Sequence, residues 1–119
     1  MSNKTEKQKT GMRGERRTAL YLILRGYRIL ERDFRAGRRD IDIIAKKRGV
    51  IAFVEVKTRT DTRTSAPQLA VDFEKRKNII AAARYYRATH DISGLTYRYD
   101  VSEVSAKGRV NYIKNAFSE

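Results

Sequence analysis

The stretch Ile51-Ala52-Phe53-Val54-Glu55-Val56-Lys57-Thr58 has the β-branched and aromatic make-up of a buried strand, yet it carries a carboxylate and an ammonium two residues apart. Side chains alternate across a strand, so Phe53, Glu55 and Lys57 share one face while Ala52, Val54 and Val56 share the other. An ionised group among such neighbours is costly unless it is paired or bound to a metal. An ordinary Glu–Lys pair on a solvated sheet face is the plain structural alternative.

Working upstream, Lys46-Lys47-Arg48-Gly49 reads as a hairpin turn, preceded by a short strand, Asp40-Ile41-Asp42-Ile43-Ile44-Ala45. Alternation puts Asp40 and Asp42 on one face, with Ile41 and Ile43 opposite. If the turn pairs the two arms, Asp42 and Glu55 come within reach of one divalent ion. Hard oxygen ligands with little histidine favour Mg²⁺ or Mn²⁺ over zinc. Lys57 then lies beside an attacking water or a scissile phosphate, where positive charge stabilises the charge that develops. Asp40 is a candidate second acid. Glu15 lies four residues before Ala19 and seven before Leu22, on the helical stripe that faces the core. There it is either a charge favoured by the helix macrodipole or a third carboxylate of the site.

The remaining pattern frames these residues. Residues 1–10 read as a flexible basic tail and residues 11–119 as a single domain. A helix is predicted over 11–25 through Ala19, Leu22 and Ile23, stopped by Gly26. A strand with imperfect alternation follows over 27–34, then a polar bend at 35–39. After the Glu55 strand comes a loop over 59–66, and Pro67 opens a second amphipathic helix running to about Ala88 through Leu69, Val71, Phe73, Ile79, Ile80, Ala83 and Tyr86. Two strands, 95–104 and 110–117, close the chain. The order helix, three strands, helix, two strands makes a mixed α/β domain: a five-stranded sheet flanked by two main helices.

Charge points to the partner. Lys and Arg total 27 against 14 Asp and Glu, a net charge of +13, and hydrophobic residues make up 40%. Such an excess suits a polyanion, with nucleic acid first, because neutralised phosphates release counterions. No apolar run approaches the roughly 20 residues of a membrane span. The absence of cysteine excludes disulfides and thiolate zinc sites and makes the cytoplasm the default compartment. Arg59, Arg63, Lys75, Arg76 and Lys77 are the candidate phosphate contacts, since they lie just beyond the Glu55–Lys57 strand or on the next helix. Gln68 is a candidate support for the site. Tyr85 and Tyr86 suit either nucleic-acid contact or the edge of a core helix. His90, the only histidine, reads as a helix-end residue, and Asp100 as part of the closing strands.

Several ordered motifs then coincide with one family. Gly11, Gly14-Glu15, Ala19, Leu22, Gly26-Tyr27, Asp40 through Ala45, Phe53 through Arg59, Pro67, Ala70-Val71, Lys75 and Arg98 through Val101 resemble the YraN family of small bacterial proteins. That family is similar to archaeal Holliday junction resolvases and, through them, to nucleases with a restriction-endonuclease-like core and a PD-(D/E)XK motif. The resemblance implies a metal-dependent endonuclease acting on DNA rather than RNA, on branched or structured substrates, and a homodimer. It assigns Asp42 to the metal-binding Asp, Glu55 and Lys57 to the (D/E)XK pair and Glu15 to the acid of the first helix. Where the family pattern reads Gly-Glu-Ile-Asp, this chain has Arg39-Asp40-Ile41-Asp42, which keeps the charge but shortens its reach. The alternatives are a non-catalytic nucleic-acid-binding module with a vestigial site, and an adaptor that docks on an acidic protein or on ribosomal RNA.

Overall fold

A computed structural model describes residues 5–59 and 72–119. The elements run α1 (Glu6–Leu24), β1 (Arg28–Ala36), β2 (Arg39–Lys47), β3 (Val50–Thr58), α2 (Phe73–Thr89), β4 (Thr96–Val104) and β5 (Val110–Phe117). This is the expected α-β-β-β-α-β-β order. The five strands form one sheet ordered β1-β2-β3-β4-β5, antiparallel except for the parallel β3–β4 pair, which α2 connects. No described helix is long and apolar enough to cross a membrane.

Each face of the sheet buries one helix. Ile44, Ile51, Phe53, Tyr99 and Val101 pack with Ile79, Ala82, Ala83 and Tyr86 of α2. On the opposite face Ile43, Ala45, Ala52 and Val54 pack with Ala19 and Leu22 of α1. The strand alternation read from β3 therefore divides its side chains between two cores. A buried Thr18–Ser102 hydrogen bond of 2.7 Å ties α1 to β4. Where α1 crosses the end of β3, a Cβ on Gly14 would fall 2.3 Å from Thr58 Cγ2 and 3.3 Å from Val56 Cγ1. Only glycine permits that approach.

Several boundaries differ from expectation, each for a local reason. The segment read as a tail to residue 10 is helical from Glu6, because Thr5 caps it. The Thr5 side chain accepts from the Gln8 amide at 3.1 Å, and Gln8 Oε1 accepts from the Thr5 amide at 3.0 Å. The described part of the second helix starts at Phe73, since Asp72 is extended (φ −65°, ψ 166°) and its carboxylate accepts from the Lys75 amide at 2.8 Å. Pro67, Leu69 and Val71, expected at its start, lie outside the described residues. Ile23 and Phe73, expected in the core, are 53% and 68% exposed. The imperfect alternation in β1 is a register shift between Ile29 and Glu31, one extra residue that turns over the facing pattern.

Asp100 is the fully buried carboxylate of the closing strands. It accepts from Arg98 Nε at 3.0 Å, Tyr112 Oη at 2.5 Å and the Asn115 amide at 2.8 Å, and Arg98 also donates to Tyr27 Oη. Its role is structural, as its position suggested.

Gly14→Ala is expected to destabilise the protein by about 1–3 kcal/mol through overpacking. Removing the clashing methyl with Thr58→Ser in the same chain should restore most of that loss. Denaturant melts of the single and double variants measure both effects.

Candidate active site

The β2–β3 ladder runs from Lys47↔Val50 to Ile43↔Val54 and ends there. Beyond it, the Val56 amide donates to Asp42 Oδ2 at 2.8 Å, so a side chain replaces the backbone as the partner of β3. The change disturbs alternation: Ile41 packs in the α2 core and Ile43 in the α1 core, where strict alternation put them on one face. Asp42 thus sits in the fork between two separating strands, reachable from either side of the sheet.

Glu15 enters from α1, held close to β3 by the Gly14 contact. Asp33 enters from β1. It lies opposite Asp42, between the pairs Arg32↔Ile43 and Phe34↔Ile41, and its φ of 52° is a left-handed conformation that Asp tolerates. One carboxylate oxygen each from Glu15, Asp33 and Asp42 lie within 4.8 Å of one another. They border an open cleft of about 440 Å³ that is also lined by Gln8, Met12 and Arg35. Glu55 adjoins Asp42 from the α2 side; it is 5% exposed, and Lys75 Nζ lies 3.0 Å from its Oε1.

The electrostatics follow from crowding anions in a partly dry place. Burial, then a hydrogen bond to Asp33 and the charges of Asp42 and Asp33, push Glu15 up to about 8 against the weak pull of Arg32, 4.0 Å away. Burial and then the Asp42 charge push Glu55 up to about 8, and the Lys75 ion pair does not offset them. Asp42 is raised mainly by burial, although the Val56 amide and a hydrogen bond from Glu55 pull it down. The pattern is of Glu55 carrying a proton toward Asp42 and Glu15 carrying one toward Asp33. For Lys75, burial disfavours the ammonium, but Glu55 and Asp42 outweigh it and raise its proton affinity.

Of the residues singled out in the sequence, Glu15 and Asp42 share the cluster and Glu55 joins through Asp42. Lys57 is half-buried on the Glu55 face of β3, opposite Glu103 of β4 in register. Asp40 is exposed opposite Arg35; its charge acts on Asp42, but its carboxylate is outside the three-oxygen group. Lys75, expected on phosphate, is held by Glu55, and Arg59 pairs with Glu103 at 2.9 Å. The other oxygen of Glu103 is buried without a hydrogen-bond partner. Arg76 and Lys77 are exposed along α2, while Arg63 and Gln68 lie outside the described residues. His90 stacks on Tyr86 with ring centroids 3.9 Å apart and ends α2. Asp33 was missed. The signal for it was the short turn at Gly37-Arg38, which pairs Ala36 with Arg39 and so sets Asp33 against Asp42.

All three converging groups are hard oxygen donors, with no imidazole or thiolate among them, so the set suits Mg²⁺ or Mn²⁺. Comparison with known proteins finds a match of residues 14–104 to the model of the uncharacterised protein family UPF0102. A UPF0102 protein of Caldanaerobacter subterraneus subsp. tengcongensis is 39% identical over 120 residues, covering 96% of this chain and 98% of its own. One from Clostridioides difficile is 42% identical over 105 residues (87% and 92%), and one from Chlorobaculum parvum is 47% identical over 96 residues (81% and 74%).

Glu15 and Glu55 hold protons in the folded protein at pH values where, in the unfolded chain, carboxylates near 4.5 have lost them. Stability from these raised acids is full below about 4.5 and is lost as pH rises toward about 8. In EDTA, the melting temperature of the wild type relative to Glu15→Gln should therefore fall from pH 5 to pH 8.5. A flat or rising difference in thermal melts contradicts the assignment.

Proposed function

The chain belongs to the UPF0102 (YraN) family, and from that premise we propose that it is a divalent-metal-dependent nuclease hydrolysing DNA phosphodiester bonds. The observation that carries this reading is the convergence of Glu15, Asp33 and Asp42, with carboxylate oxygens within 4.8 Å of one another in a chain of net charge +13. Three carboxyl groups gathered by three separate elements favour a cation that displaces their protons, and a strongly basic chain brings a polyanion to it.

Asp42, Glu15 and Asp33 would hold Mg²⁺ or Mn²⁺, which when bound supplies Lewis-acid polarisation of the phosphate and a more acidic water. Glu55, which adjoins Asp42, would add a further carboxylate to that ion once it gives up its proton. Lys57, on the same strand face, offsets charge on the phosphate as its bond to the leaving oxygen breaks. Gly14 and the Val56 amide position Glu15 and Asp42 respectively. The resolvase-like resemblance extends the reading to branched or structured DNA.

A second reading, a nucleic-acid-binding module with a vestigial site, is favoured by one observation: Lys75 occupies Glu55 at 3.0 Å, where it competes with a metal for the same carboxylate.

Purified protein should cleave DNA with Mg²⁺ or Mn²⁺ and not in EDTA, across a panel of branched, duplex and single-stranded substrates. Asp42→Asn, Asp33→Asn and Lys57→Ala should each lower the rate by about 100-fold or more. Cleavage indifferent to all three substitutions sinks the nuclease reading. Absence of products together with salt-dependent binding that survives the substitutions establishes the second.

A further inference from the structure

Three clefts join around a free corner of the sheet. The cleft of the acid cluster is bounded by Arg35. Arg35 also lines a second cleft of about 410 Å³, with Gly37, Arg39 and Tyr85, between the β1–β2 turn and α2. Arg39 and Ala81 lead on into a third of about 490 Å³, which runs along α2 past Phe73, Arg76 and Lys77. The path starts on the α1 side of the sheet, rounds the turn and ends on the α2 side.

Past the acid cluster, its lining carries cations and rings, with the carboxylates Glu74 and Glu119 in the third cleft. Arg35, Arg39 and Arg76 are exposed, and among the described residues none forms an ion pair with a carboxylate. Glu119, which borders the third cleft, is taken up by Arg84 at 2.9 Å and Arg87 at 3.5 Å. Between these cations stand exposed rings: Tyr85, 54% exposed, and Phe73, 68% exposed, with Lys77 Nζ 5.4 Å from the Phe73 centroid. Cations beside exposed rings suit a chain of phosphates with unstacked bases. A duplex does not follow a path that rounds the turn, since its persistence length of about 150 base pairs far exceeds the 42 × 31 × 29 Å of the described residues.

Resting on the reading that the acid cluster acts on DNA, we propose that this track binds a single-stranded segment continuing from the scissile bond. Its phosphates lie on Arg35, Arg39 and Arg76, and its bases stack on Tyr85 and Phe73. The favoured substrate is DNA with an unpaired arm.

Fluorescence anisotropy in EDTA, with a labelled oligothymidine strand and a blunt duplex of equal length, tests the track without cleavage. The single strand should bind several-fold more tightly than the duplex. Tyr85→Ala should weaken single-strand binding about tenfold, while Tyr85→Phe, which keeps the ring, should not. Arg35→Ala with Arg39→Ala should reduce the slope of log affinity against log salt by about 1.4. Lys107→Ala with Lys114→Ala, which line none of these three clefts, should leave the single-strand preference in place. Equal affinity for the two DNAs, an unchanged Tyr85→Ala, or a Tyr85→Phe as weak as Tyr85→Ala overturns the proposal. If Tyr85→Ala does not fold by circular dichroism, the salt slope of the arginine pair decides, and an unaltered slope overturns it. Cleavage is scored separately: single-strand preference without products upholds the track and removes the nuclease reading, and metal-dependent cleavage without that preference does the reverse.

Discussion

The hydrogen bond from the Val56 amide to Asp42 sets the terms for the rest of the site. By taking the place of a backbone carbonyl, the side chain lets β2 and β3 part while leaving no orphan amide at the fork. The same substitution fixes an anion in the plane of the sheet. From there Asp42 meets Glu15 and Asp33 on the α1 side and Glu55 toward α2. A buried anion is tolerated only with donors, cations or a proton beside it, so its neighbours are constrained as tightly as the carboxylate itself.

Asp100, which is buried, and Asp42, which is half-buried, show what that constraint means. Around Asp100 a guanidinium, a phenol and a backbone amide complete the shell, and the anion is balanced within the protein. Around Asp42 the protein adds more carboxylates instead, with Lys75 paired to Glu55, Arg32 at the edge of Glu15 and Arg35 lining the same cleft. Burial first, and the neighbouring carboxylates after it, push Glu15 and Glu55 up to about 8. One site is balanced by donors of its own, and in the other the carboxyl groups share protons.

Much of this was legible in the residue pattern. β3 and β5 have the bounds read from composition, and Glu15 and Asp42 fall in the cluster that their spacing suggested. The strand faces were read correctly where pairing is regular. They failed at Asp42, where a side chain interrupts the ladder, and near Leu30, where an extra residue reverses the facing. Alternation presumes an unbroken ladder, so it loses force at the irregularities that make a site. Asp33 was hidden for that reason: it lies beyond the bulge, in a left-handed conformation that no periodicity marks. The capping of α1 by Thr5 was visible as a Thr-x-x-Gln box, but the lysines around it made the segment read as a tail.

β1 is an open edge of the sheet, and open edges invite strands from other chains. Here Arg28, Arg32 and Arg35 stand exposed along it, and the bulge near Leu30 twists it away from a flat template. These charges guard the sheet against self-association, quite apart from any phosphate they meet. A chain whose arginines drifted toward apolar residues would therefore offer an edge on which a strand from another copy could pair.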